Sequence, residues 1–157
     1  MTDPIRKSVV VPLAPKEAFT LFTREIDRWW PKDSHSISAR QGQAGVATVQ
    51  IEPKKGGRVI ETLPDGTRAL WGQITEWHPG ERLSMDWHVG QDKENATQIL
   101  VTFSPCDAGT RVDLTHSGWD THGDQATMMS AEYSSGWNKV LGQCFASAAT
   151  RFVVSLA

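Results

Sequence analysis

The stretch GDQATMMSAEYSSGWNKVLGQCFASAATRF, from Gly123 to Phe152, decides how this chain folds. Its apolar residues recur at Met129, Tyr133, Trp137, Val140, Leu141, Cys144, Ala148 and Phe152, the stripe of an amphipathic helix. At about 1.5 Å per residue such a helix reaches roughly 40 Å, long enough to cross a whole sheet. Ser134-Ser135-Gly136 are poor helix formers in mid-stripe, and Gly136 alone costs about 1 kcal/mol relative to Ala. The spacing therefore predicts a break there, with a lead-in segment over 124–133 and the main helix over 136–154.

Working outward, the residues before this helix read as the sheet it crosses. Arg6 to Val11 is a β-branched run closed by Pro12. Ala14-Pro15 then opens a helix, since proline at the first helical position needs no donor. Phe19, Phe22, Ile26 and Trp29 or Trp30 follow at helical spacing until Pro31, with Thr23-Arg24 dividing the pattern into two short helices. From about His35 the period changes to two. Strands are predicted over 46–51, 58–63, 68–77, 83–89, 99–105 and 110–117, separated by turn signals at Gly56-Gly57, Pro64-Asp65-Gly66, His78-Pro79-Gly80-Glu81 and Asp107-Ala108-Gly109. The class is α+β, a curved antiparallel sheet wrapped around a long C-terminal helix, with two short helices after strand 1. With 157 residues the chain suits one domain over 1–157.

Composition excludes several classes. The net charge of -2 points to no nucleic-acid partner. The N-terminus lacks the apolar core of a secretory signal and no window suits a membrane span, so a cytoplasmic protein is expected. Cys106 and Cys144 are too few for a disulfide framework or a zinc knot, and Cys144 reads as a small buried hydrophobe. The chain carries no nucleophile elbow, phosphate loop or dinucleotide fingerprint, which removes the common hydrolase, kinase and dehydrogenase classes.

Seven tryptophans remain to be placed. Trp87 alternates with Leu83, Met85 and Val89 and reads as core. Trp71 shares a face of mixed polarity with Ala69 and Gln73, which suits a cavity wall. Trp29 and Trp30 cannot both face inward on a helix, so one belongs at a cavity mouth or on the surface. Glu61 shares a strand face with Val59 and Leu63. A carboxylate there must be paired, neutralised, in contact with cavity water, or turned to solvent by an edge or bulge. His116 faces the same way as Val112 and Leu114, either a satisfied core histidine or a hydrogen-bonding group in a cavity. The string from His116 to Asp124 holds two histidines and two aspartates, but their spacing matches no metal-ligand pattern, and no metal or cofactor is expected.

Several motifs stand out: Val11-Pro12-Leu13-Ala14-Pro15, Gly56-Gly57-Arg58-Val59, Trp71-Gly72-Gln73-Ile74, Trp77 to Leu83, Gly109-Thr110-Arg111-Val112, Thr115 to Trp119, and Gly136-Trp137. Together they resemble the START-like (SRPBCC) superfamily, and within it the branch of the activator of Hsp90 ATPase. The resemblance covers nearly the whole chain and implies a helix-grip fold enclosing an apolar cavity. The favoured expectation is a binder of a small hydrophobic, aromatic or amphipathic ligand rather than an enzyme. The expected lining is Glu61, Trp71, His116, Trp119, Met129, Tyr133 and Trp137, with Glu61 and His116 as polar anchors and no catalytic residue assigned. The resemblance carries two alternatives, a module assisting an Hsp90-type chaperone, and an enzyme of cyclase or dehydratase type using Glu61 or His116 as acid/base.

Overall fold

Alternation of apolar and polar residues builds the sheet, and the computed structural model, which describes residues 2–42 and 47–156, contains seven strands. They are β1 (Ile5–Val11), β2 (Thr48–Ile51), β3 (Arg58–Thr62), β4 (Arg68–His78), β5 (Arg82–Trp87), β6 (Thr97–Cys106) and β7 (Gly109–Ser117). All neighbours are antiparallel in the order β1-β7-β6-β5-β4-β3-β2, a meander closed by β1 returning to β7. Leu83, Met85 and Trp87 on β5, Ile99, Val101 and Phe103 on β6, and Val112, Leu114 and His116 on β7 line the inner face. The predicted start of β2 at Val46 falls outside the described residues.

The C-terminal segment lies across that inner face, which makes this the helix-grip α+β fold. Trp119–Gln125 forms 3-10 turns and leads into α4 (Ala126–Lys139), a π-helical segment (Val140–Phe145) and α5 (Ala146–Leu156). The helix does not break at Ser134-Ser135-Gly136. Tyr133 and Trp137, one turn apart, both pack on His116, and this tertiary contact outweighs the weak local propensity. The irregularity sits instead at 140–145, where the wider turn delays the apolar stripe by one residue. Phe145 therefore takes the fully buried position, and Cys144 is only half-buried.

The N-terminal helices divide as the sequence predicts, into α1 (Pro15–Thr23) and α2 (Ile26–Trp29). Glu17 Oε1 accepts from the Ala14 N–H at 2.9 Å and satisfies a donor at the start of α1. Trp29 and Trp30 both turn inward, and Trp30 is the one that stands at a cavity wall. Helix α2 ends at Trp29, and Trp30 adopts an extended conformation (φ -63°, ψ 130°), so the constraint of helical geometry no longer separates the two rings. Each indole has its own carbonyl: Trp29 Nε1 donates to Leu21 O at 2.8 Å and Trp30 Nε1 to His35 O at 2.7 Å.

One helix near the sheet lies where the sequence reads as extended chain. α3 (Ile37–Arg40) is a single turn capped by Ser36, whose Oγ accepts from the Ala39 N–H at 3.0 Å. It carries the residues that complete the site.

Candidate functional site

A cleft of about 140 Å³ opens where the segment 34–40, the end of β5 and helix α4 meet. Trp30, Trp87, Tyr133 and Trp137 form its walls, and Ser34, His35, Arg40 and Glu132 stand around its rim. The three indoles lie with ring centroids about 6 Å apart, Trp30–Trp87 at 5.9 Å, Trp30–Trp137 at 6.0 Å and Trp87–Trp137 at 6.3 Å. Behind them, between sheet and helix, only about 10 Å³ remains, bounded by Phe22, Ile51, Met85 and other apolar groups. That is at the lower limit for one water and is apolar, so this part of the interior is packed by aromatic and aliphatic side chains.

The polar groups of the cleft are unequal. Among the described residues two buried side-chain atoms lack a hydrogen-bond partner, Trp87 Nε1 and His88 Nδ1, and of these only Trp87 lines the cleft. The Trp87 ring is 4% exposed. Its N–H and the Arg40 guanidinium face the Tyr133 hydroxyl, although the indole does not reach hydrogen-bond geometry. Burial pushes the Tyr133 hydroxyl above the ordinary tyrosine range, opposed by Trp87 and Arg40 and assisted by the Glu132 carboxylate. Tyr133 is thus a phenol at neutral pH, able to donate. Arg40 donates to Val89 O at 3.4 Å and belongs to none of the ion pairs among the described residues.

On the opposite rim, Lys139 Nζ donates to Ser34 Oγ at 3.0 Å, and Ser34 Oγ is 2.7 Å from His35 Nδ1. Burial holds the His35 imidazole below its ordinary range, reinforced by Lys139 and Arg40 and opposed by Asp33. His35 is therefore neutral at physiological pH, with its Nε2 edge toward Gly136 of α4.

The seven residues predicted from the sequence separate into groups. Tyr133 and Trp137 line the cleft, while Met129 packs beside the core from α4. Glu61 is fully buried and accepts four bonds from the protein: on Oε1 from Ile37 N at 2.8 Å and Trp71 Nε1 at 3.0 Å, on Oε2 from Ser38 N at 3.0 Å and from Ser38 Oγ. All four are donors, as an acceptor-only carboxylate requires. Glu61 and Trp71 thereby clamp α3, with Arg40 at its end, to the sheet.

His116 and Trp119 are equally enclosed. Trp137 Nε1 donates to His116 Nδ1 at 3.1 Å, which leaves the ring proton on Nε2 to donate to Thr97 Oγ1 at 2.7 Å. Trp119 Nε1 donates to His116 O at 3.0 Å and its ring lies 4.3 Å from the imidazole. Burial, reinforced by His122, lowers the His116 pKa to about 3. Neither nitrogen faces the cleft.

The sequence reading missed Arg40, His35 and the cleft role of Trp87. Its one available signal was Ser36 ahead of Ile37-Ser38-Ala39-Arg40, a cap followed by a turn of helix. Among the described residues no group of three or more His, Cys, Asp or Glu side chains is arranged to hold a metal ion.

The sequence model described as Activator of Hsp90 ATPase homolog 1-like protein matches residues 12–148. The chain belongs to this AHSA1-like family. Among solved structures, this AHSA1-like protein is 34% identical to the anthrahydroquino-Gama-pyrone synthase Txn09, determined in complex with SUM; the similarity covers 93% of this chain and 96% of that one, with a TM-score of 0.62. A protein from Arthrobacter aurescens shares 19% identity over 96% of this chain and 90% of its own, with a TM-score of 0.68. The protein MLL2253 from Mesorhizobium loti shares 12% identity over 99% of both chains, with a TM-score of 0.67. The last two relationships concern the fold alone. Among curated proteins none matches this sequence. No helix among the described residues of the AHSA1-like chain is long and apolar enough to cross a membrane.

Proposed function

We propose that this AHSA1-like protein binds a small planar aromatic ligand in the outer cleft, with Trp30, Trp87, Tyr133 and Trp137 as its walls. The observation that carries this reading is the aromatic cleft itself, in which the indoles of Trp30, Trp87 and Trp137 stand about 6 Å apart beside Tyr133 around open space. Size supports the same conclusion. An apolar cavity of about 150 Å³ accommodates a benzene ring, so a cleft of about 140 Å³ takes one ring and leaves the rest of a larger molecule outside.

The test is a titration with 1-naphthol followed through the tryptophan indole N–H signals in two-dimensional NMR, assigned with Trp→Phe variants. The signals of Trp30, Trp87 and Trp137 should move, and those of Trp29 and Trp119 should not. Uniform or absent shifts would overturn the reading.

A second reading is favoured by the 34% identity with a γ-pyrone synthase: the same cleft carries out ring-forming chemistry on a polyketide-like aromatic. His35 and Tyr133 are then the acid/base candidates, because the polar atoms of Glu61 and His116 are occupied by the protein. Loss of turnover in His35→Asn with ligand binding retained would support it; unchanged turnover would remove His35. The family description is what supports a chaperone partner. The large exposed apolar side chains, Val10, Leu70 and Met128, lie on three separate elements and form no docking face among the described residues.

A further inference from the structure

Gly136 is a glycine that the fold does not require. It stands in the interior of α4, outside the positive φ values of the turn glycines, where glycine is the costliest residue short of proline. Beyond its own helix backbone and chain neighbours, a Cβ there would meet only the edge of the His35 ring, Nε2 at 3.5 Å and Cδ2 at 3.7 Å. Those are ordinary contacts, so packing does not exclude a side chain. What its absence leaves is a notch in the cleft wall, open space one contact distance from His35 Nε2, and both residues line the cleft.

The other nitrogen of that ring is committed. Lys139 Nζ, which can only donate, bonds Ser34 Oγ at 3.0 Å. Ser34 Oγ in turn lies 2.7 Å from His35 Nδ1 and 3.4 Å from its other acceptor, Pro31 O. A hydroxyl oxygen that accepts from an ammonium is the better donor, and 2.7 Å is the usual length of a bond given by a hydroxyl. The Ser34 proton therefore goes to Nδ1, which places the ring proton of the neutral imidazole on Nε2. Nε2 has no hydrogen-bond partner among the described residues and is not one of the two sealed orphan atoms, so its N–H reaches open space. The main chain holds this donor beside an indole wall: His35 N donates to Pro31 O at 2.8 Å, and His35 O accepts from Trp30 Nε1 at 2.7 Å.

We propose that Gly136 determines the specificity of the cleft, by leaving room for the carbonyl oxygen of a planar aromatic ketone to accept from His35 Nε2–H, in the tautomer that Ser34 and Lys139 hold. This rests on the reading of the cleft as an aromatic site and adds the chemical class of the ligand. A ketone oxygen only accepts, and it lies in the plane of the conjugated ring, so it complements a single neutral donor set at the edge of an aromatic box.

1-Indanone and indane share a bicyclic outline and differ by a carbonyl in place of a methylene. Titrated separately into the protein and followed through the indole N–H signals, indanone should bind at least about threefold tighter, the worth of one hydrogen bond. Long-range proton–nitrogen spectra of the free protein should show His35 protonated on Nε2, and indanone should shift that proton. Gly136→Ala should abolish the preference for indanone in a protein at least as stable as the parent, a combination that a folding defect does not produce. His35→Phe should abolish it while indane still binds, and Ser34→Ala, which touches no ligand, should let the ring proton redistribute between the two nitrogens. Equal affinities for the two probes with the Trp30 and Trp137 signals still perturbed overturn this proposal and leave the aromatic cleft standing, as does a preference that survives Gly136→Ala or an Nδ1–H tautomer in the free protein. If neither probe perturbs those signals, both readings fall.

Discussion

Trp137 Nε1 donates to Nδ1 of His116 across 3.1 Å, and this bond joins the terminal helix to strand β7 at a point where both side chains are buried. It fixes the rotation of α4, and hence which ring of that helix faces the cleft, since Tyr133 one turn earlier also packs on His116 at 5.0 Å. The imidazole is held neutral, and the bond depends on that.

The first prediction is a pH dependence of stability. The folded His116 pKa is lowered from 6.5 to about 3, so below pH 6.5 the unfolded chain takes up a proton that the folded chain refuses. The contribution is complete above about pH 6.5 and is lost progressively as pH falls toward 3, with a slope of at most about 1.4 kcal/mol per pH unit from this group. Urea unfolding from pH 7.5 to 4 should show that slope. In His116→Phe the midpoint at pH 7.5 should be lower and the slope shallower; an unchanged slope would assign the acid sensitivity elsewhere.

Glu61→Gln tests the clamp. The amide NH₂ of glutamine meets donors that a carboxylate accepts, leaving at least two of them without partners at a fully buried site. The expected loss is about 2–4 kcal/mol by chemical denaturation, with faster amide exchange at Ile37 and Ser38. Aromatic-probe affinity should fall with it, because α3 carries Arg40.

Trp87→Phe should cost only packing. Its N–H has no partner among the described residues, so removing it orphans no acceptor, and the loss by chemical denaturation should be that of the missing ring volume, about 1–3 kcal/mol. The same loss in Trp87→Leu, which removes more of the ring, would show that packing is not what the indole contributes.

Gly136→Ala addresses the continuity of α4. A Cβ at Gly136 comes no closer than 3.5 Å to His35, an ordinary contact. In a continuous helix the substitution should stabilise by up to about 1 kcal/mol, a rise of roughly 2–4 °C in Tm for a chain of this size. A drop in Tm would indicate that the helix is interrupted there after all.

Much of the fold was legible because its signals are local. Alternation at Leu83, Met85 and Trp87 or at Val112, Leu114 and His116 assigns a buried face without reference to any neighbour, and Pro15, Pro31 and Gly66 punctuate the chain wherever they stand. The helical stripe was legible in the same way up to Leu141. Beyond it, the π-helical segment shifted the phase and moved Phe145 inward in place of Cys144, because packing on Phe22 and Trp29 at 5.4 and 5.1 Å overrides the ideal period.

The site was legible only in part. Tyr133 and Trp137 announced themselves by their spacing, and Glu61 and His116 were correctly marked as polar groups on apolar faces, each of which must find partners. Where those partners lie is a long-range matter: Ile37 and Ser38 are 24 and 23 residues from Glu61, and Trp137 is 21 from His116. The sequence by itself determined the strands and the gripping helix, since periodicity and turn chemistry are carried by neighbouring residues, and its motifs carried the resemblance to the family. Only the tertiary structure decided that Glu61 and His116 are satisfied inside the core while the Trp87 N–H is not, because hydrogen-bond satisfaction depends on which distant donors and acceptors the closed fold brings together.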